Sequence, residues 1–150
     1  MISQTAEYAL RASVYLAGHL EGKQTLPEIA EATEVPAGYL SKVLQTLRKA
    51  GLVHSRRGKN GGFVLGREPE SISLYDVVNA VSPIASLDMC PLTLDVQCNR
   101  NKFSFNDPES QLCPLHTLLK DMNRQMEDRF RSFNLSNFQD GSFRLSGISL

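Results

Sequence analysis

The spacing of apolar residues changes along this chain, and each change marks an element. Between residues 4 and 18, Ala6, Leu10, Val14 and Ala17 return at helical spacing, so an amphipathic helix is expected there. Ser3 stands ahead of it as an N-cap, and Glu7 and Arg11, four apart, can pair on its polar side. Thr25-Leu26-Pro27-Glu28 has capping-box spacing and predicts a short second helix through Ile29, Ala30 and Ala32. Pro36 suits the first position of a third helix, in which Leu40, Val43, Leu44 and Leu47 make one apolar face. Gly51 ends that helix as its C′ residue. The pattern then shortens to two strand-like runs, residues 52–55 and 63–65, around a glycine-rich turn in which Asn60-Gly61 favours positive φ. Ser73 and Asp76 repeat the capping-box spacing and open a fourth, short helix that stops before Pro83. A polar, turn-rich stretch follows, and residues 114 to about 133 read as a long helix. Leu115, Leu118, Leu119, Met122, Met126, Phe130 and Phe133 run along one of its sides.

The expected fold is therefore mainly α with a small β-wing: a winged helix-turn-helix followed by a long C-terminal helix. Residues 1–82 form the winged unit, 83–113 a cysteine-bearing loop, 114–138 a dimerisation segment, and 139–150 a tail expected to be disordered. So large an apolar stripe, placed after the core of a small domain, points to a second copy of the chain as its partner. No apolar run reaches the length needed to span a bilayer, and the first residues lack the pattern of a signal peptide, so a cytoplasmic location is expected.

Charge adds a second layer. Residues 36–67 carry seven basic side chains and no Asp or Glu, although the whole chain balances 16 Lys and Arg against 16 Asp and Glu. A basic helix and wing in an electrically neutral chain is the footprint of a nucleic-acid surface. Tyr39, Ser41, Lys42 and Gln45 face away from the apolar side of the third helix, where early residues can reach base edges in a major groove. Arg56, Arg57 and Lys59 supply charge in the wing, whose glycines let backbone approach a phosphate chain. The glycine turn lacks the Gly-Lys-Ser/Thr of a P-loop, and no arrangement of catalytic side chains stands out, which argues against an enzyme.

The three cysteines, Cys90, Cys98 and Cys113, all lie between the winged unit and the long helix. Cys113 and His116, three apart at a helix start, are near one another, and the helix terminus favours a thiolate. Three thiolates and an imidazole make a four-ligand set suited to an iron–sulfur cluster or zinc, and zinc's usual paired C-x-x-C knuckles are absent. Ordinary buried cysteines with no ligand are the competing reading.

The residues Glu7-Tyr8-Ala9-Leu10-Arg11, Tyr39-Leu40, residues 47–53 and the wing run Arg57-Gly58-Lys59-Asn60-Gly61-Gly62 together resemble the Rrf-two family of winged-helix bacterial transcription regulators. The resemblance covers residues 2–138 and extends to the family's iron–sulfur sensors. It implies a homodimer with crossed C-terminal helices, bound to a double-stranded DNA operator. Operator affinity would be set by a 2Fe–2S or 4Fe–4S cluster that reads redox state, nitric oxide or iron and cluster supply. Carried over by position, Cys90 corresponds to the first cluster cysteine and Cys113 to the third. Cys98 is then the second, and His116 the fourth ligand, with Glu7 of the partner subunit as the alternative. Arg57 and the face from Tyr39 to Lys42 correspond to the family's DNA-reading positions. Two rival readings are a cluster-free thiol-switch regulator and an accessory protein that binds an enzyme of cysteine or iron metabolism without touching DNA.

Overall fold

The computed structural model describes residues 2–56, 58, 61–83 and 114–139, with side chains from residue 118 onward in the last span. Two compact units emerge, one made of Met1–Pro83 with Arg129–Leu150 and the other of Ile84–Asp128. The cysteine loop and the tail from residue 140 lie outside the described residues, as do the expectations placed on them.

Helix α1, Gln4–Ala17, is capped by Ser3, whose hydroxyl oxygen accepts from the Ala6 N–H at 3.2 Å. Its buried residues are Ala6, Ala9, Ala12, Ser13, Leu16 and Ala17, whereas Leu10 and Val14 are only partly buried. The buried face is thus broader than the expected stripe and is turned away from it. The reason is that α1 is the central element, touched by both following helices, by the fourth helix, by the wing and by the chain's last described turn. Its small side chains allow that many neighbours to approach closely.

Helix α2, Leu26–Thr33, opens on the expected capping box: the Thr25 N–H donates to Glu28 Oε2 at 2.7 Å and the Glu28 N–H to Thr25 Oγ1 at 3.5 Å. It closes at Glu34, a non-glycine residue in the left-handed region at φ 55°. Helix α3, Ala37–Lys49, follows after two residues. Pro36 serves as its N-cap rather than its first helical residue; its carbonyl accepts from the Leu40 N–H at 3.0 Å. At the other end Gly51, at φ 72°, donates to the Arg48 carbonyl at 3.0 Å while Leu52 donates to that of Leu47 at 3.0 Å. This is a Schellman closure, and it satisfies carbonyls that the end of the helix would otherwise leave open.

Strands β1, Val53–Arg56, and β2, Gly62–Leu65, pair antiparallel, with Val53 opposite Leu65 and Arg56 opposite Gly62. Gln24 from the α1–α2 turn adds to the outer edge of β2, giving and taking hydrogen bonds with Phe63 at 3.0 and 2.8 Å. The wing is therefore stitched to the helical part as well as to itself. A 3-10 turn at Pro69–Ser71 leads to helix α4, Leu74–Val81, whose capping box joins Ser73 and Asp76 at 3.0 and 3.1 Å.

Helix α5 spans Pro114–Ser132. Within the Ile84–Asp128 unit, Leu118 and Met122 lie four apart on this helix and are 55% and 57% exposed. Beyond α5 the chain folds back on the winged unit. The Phe133 carbonyl accepts from the Leu74 N–H at 2.9 Å, and the Leu135 N–H donates to the Ile72 carbonyl at 3.0 Å. Leu135, in a 3-10 turn at Leu135–Phe138, is fully buried in the same core as Leu16, Leu44 and Val77. Gln139 completes the return by donating to the Ala17 carbonyl at 3.0 Å.

Candidate nucleic-acid interface

The inner face of α3 is fixed by Leu40, Val43, Leu44 and Leu47, all buried as their spacing predicts. This leaves the outer face free to carry polar groups. Tyr39 is 62% exposed, Lys42, Gln45, Arg48 and Lys49 are exposed, and Ser41 is half-buried. At 100° per residue, Lys42 and Gln45 lie opposite the apolar side, with Ser41 and Arg48 on one flank and Tyr39 and Thr46 on the other. The two flanks meet different neighbours. Arg48 Nη1 donates to Ser55 Oγ at 3.4 Å, which ties the first flank to the wing. On the second flank the Tyr39 ring leans on the Tyr8 ring of α1, with centroids 6.3 Å apart and planes at 55°. Beside this ring pair lies a groove of about 280 Å³ lined by Thr5, Tyr8, Tyr39, Lys42 and Thr46, with Val43 and Val81 adding apolar surface.

The turn between α2 and α3 is braced from α1. Arg11 Nη1 donates to the Thr33 carbonyl at 3.2 Å, and its second terminal nitrogen pairs with Glu7 Oε1 at 2.6 Å. The guanidinium thus spans from the first turns of α1 to the bend that sets the angle of the reading helix. The Glu7–Arg11 pair was legible as an i, i+4 spacing, but its link to the bend was not, because Thr33 is distant in sequence. In the wing, Arg56 is exposed at the end of β1, Gly58 takes φ 113°, and the Gly61 N–H closes the turn on the Gly58 carbonyl at 2.8 Å. Arg57 and Lys59 fall outside the described residues. The described part of the 36–67 segment thus presents Lys42, Arg48, Lys49, Arg56 and Arg67 as exposed cations.

Of the candidate metal ligands, Cys90, Cys98 and Cys113 fall outside the described residues, and His116 lies in the first turn of α5 with its side chain not described. Among the described residues, no three of His, Cys, Asp and Glu gather into a metal-binding group. Glu7 is described, and its carboxylate is engaged by Arg11.

A helix-turn-helix with an exposed polar and basic reading face, followed by a two-stranded glycine-turned wing, defines a winged-helix DNA-binding protein. The chain belongs to the Rrf2 family: that family's model, described as an iron-dependent transcriptional regulator, matches residues 2–141. The chain is 30% identical over 137 residues to a protein of Aquifex aeolicus (strain VF5) described as an HTH-type transcriptional regulator, covering 91% of this chain and 90% of that one. Among solved structures, IscR of T. potens superposes with a TM-score of 0.72 at 24% identity, over 100% of this chain and 93% of that one. CymR, the global cysteine regulator of B. subtilis, superposes with a TM-score of 0.70 at 24% identity, over 95% and 98% of the two chains. The protein is accordingly a winged-helix transcription regulator and not an enzyme, and no helix among the described residues is long and apolar enough to cross a membrane.

Proposed function

We propose that this regulator binds a pseudo-palindromic DNA operator as a homodimer in the cytoplasm, and that an iron–sulfur cluster held by Cys90, Cys98, Cys113 and His116 sets its affinity. The observation that carries the reading is the donor set itself. Three cysteines and a histidine fall between α4 and the first turn of α5, where Cys113 directly precedes the helix and His116 lies within it. Thiolates and an imidazole are soft ligands that suit an iron–sulfur cluster, and the family's description as iron-dependent agrees. When bound, the cluster supplies a redox- and nitric-oxide-reactive centre. The chain's own contribution is to hold it beside the start of α5.

Glu7 is the weaker candidate for the fourth position. Ligation would take its carboxylate from Arg11 and with it loosen the brace on the α2–α3 bend. On DNA, Ser41 and Gln45 face base edges, Lys42 and Tyr39 stand at the margin of that face, and Arg56, Arg57 and Lys59 meet the backbone. The fold superposes on a cysteine regulator with a TM-score of 0.70 against 0.72 for IscR, which keeps a cluster-free thiol switch as the second reading. Anaerobic absorption spectra of freshly purified protein decide between the two. The proposal expects a visible iron–sulfur chromophore that is lost in Cys90→Ala, Cys98→Ala and Cys113→Ala and altered in His116→Ala. A colourless, iron-free protein whose DNA affinity responds to thiol oxidation sinks the cluster reading.

A further inference from the structure

The exposed face of α3 has two flanks, and a helix lying in a major groove has a sugar–phosphate strand on either side of it. That groove is about 12 Å wide, so both flanks of an inserted helix come close to backbone. The wing accounts for one side: Arg48 is tied to Ser55, and Arg56 is exposed at the end of β1. Nothing assigned so far meets the opposite strand. On that flank the structure holds the groove between α1, α3 and α4, whose lining includes the hydroxyl-bearing Thr5, Tyr8, Tyr39 and Thr46 and the ammonium-bearing Lys42.

We propose that this groove seats the second sugar–phosphate strand, with Thr5 and Tyr8 of α1 acting as backbone contacts alongside Lys42 and Tyr39. The inference rests on the reading that α3 enters a major groove. The chemistry matches a backbone rather than a base edge. Its lining has no carboxylate to repel phosphate, several neutral donors, one cation, and the apolar surface of Val43 and Val81 for the sugar. Hydroxyl and lysine contacts to phosphate are those that fix register on a duplex without carrying sequence information. The Tyr8–Tyr39 ring contact gives α1 a second effect, since it supports the Tyr39 ring that lines this flank.

The test uses the full-length wild-type protein, Thr5→Ala, Tyr8→Phe and Lys42→Ala, with a duplex selected from a random pool by the wild type and a scrambled duplex of equal length. Thr5 is exposed, and phenylalanine keeps the Tyr8 ring, so thermal melting should be unchanged and any loss is a loss of contact. The expected result is a several-fold weakening by Thr5→Ala and by Tyr8→Phe on both duplexes alike, with the wild-type slope of log affinity against log salt. Lys42→Ala should reduce that slope by about 1.8, since the dimer loses two phosphate-bound cations, one from each protomer. Phosphate ethylation interference should mark positions on both strands flanking the reading helix, and within each half-site Tyr8→Phe should lose the marks on one strand only, the two half-sites losing them on opposite strands. Wild-type affinity in both Thr5→Ala and Tyr8→Phe overturns the inference and leaves the DNA reading intact. Loss confined to the selected duplex also overturns it, because a base-reading pocket would then be present. Failure of the wild type to bind any duplex in a salt-dependent way overturns the underlying reading and this inference together.

Discussion

Replacing Leu135 with alanine asks whether the residues after α5 are part of the winged unit's core or merely lie on it. Leu135 is fully buried and sits in one cluster with Leu16, Leu44, Ile72 and Val77. The change removes three carbons, worth roughly 0.8 kcal/mol each on transfer from water, so about 2.4 kcal/mol before any cavity is counted. The neighbouring backbone is pinned by the Ile72–Leu135 and Leu74–Phe133 hydrogen bonds and cannot collapse fully into the space. A residual cavity raises the expected loss to about 3–4 kcal/mol, within the range seen for buried leucines. Phe133→Ala is the control, because Phe133 is 47% exposed and should cost well under half as much. Urea unfolding followed by far-ultraviolet circular dichroism of the whole protein measures both. The winged unit's transition should shift to lower urea in Leu135→Ala with an unchanged slope. A loss below about 1 kcal/mol, or one equal to that of Phe133→Ala, would refute the placement of this turn in the core.

Other consequences can be measured in the same way. Gly51 holds a left-handed conformation at the end of α3, so Gly51→Ala should destabilise the protein by about 1–2 kcal/mol in urea unfolding even though the added methyl meets nothing within 4 Å. Hydrogen bonds from the Thr25 N–H and hydroxyl hold the Glu28 carboxyl below the ordinary carboxylate range. Its contribution is therefore complete above that range and is lost as pH falls through the depressed value, so the gap in unfolding midpoint between wild type and Glu28→Gln should narrow in acid. Burial, and secondarily the negative charge of Glu28, raise the Tyr15 phenol above its usual value. Tyr15→Phe should accordingly lessen the loss of stability that sets in as pH rises through the range of tyrosine ionisation, read from midpoints at alkaline pH.

Local signals were the legible part of this chain. The capping boxes at Thr25 and Ser73, the Gly51 terminator and the four-residue apolar face of α3 each depend on residues within one or two turns, and each stands in the structure as spacing alone implies. What sequence could not show depends on partners far apart. Gln24 pairs with Phe63, Asn134 with Ser73, and Gln139 with Ala17. No periodicity marks Leu135, a single aliphatic residue between Asn134 and Ser136, as a core residue. The same distinction divides the interface. Lys42, Gln45 and the basic wing are candidates from charge and helical phase, and Lys42, Gln45 and Arg56 are exposed, whereas Thr5 and Tyr8 become candidates only because α1 lies against the flank of α3.

The return of the chain after α5 also bears on how such a regulator can change. Because residues 129–139 rejoin the unit that residue 83 leaves, the stretch between them is an insertion within a domain whose two ends are already anchored. Each doubling of the chain length between two anchored ends costs only about 0.6 kcal/mol in closure entropy. The stretch that carries the three cysteines can therefore be lengthened, re-spaced or exchanged at small energetic cost while the winged unit keeps its own core. Under the cluster reading proposed above, selection could retune the signal, down to the spacing of Cys90, Cys98 and Cys113, without first having to rebuild the fold that delivers it.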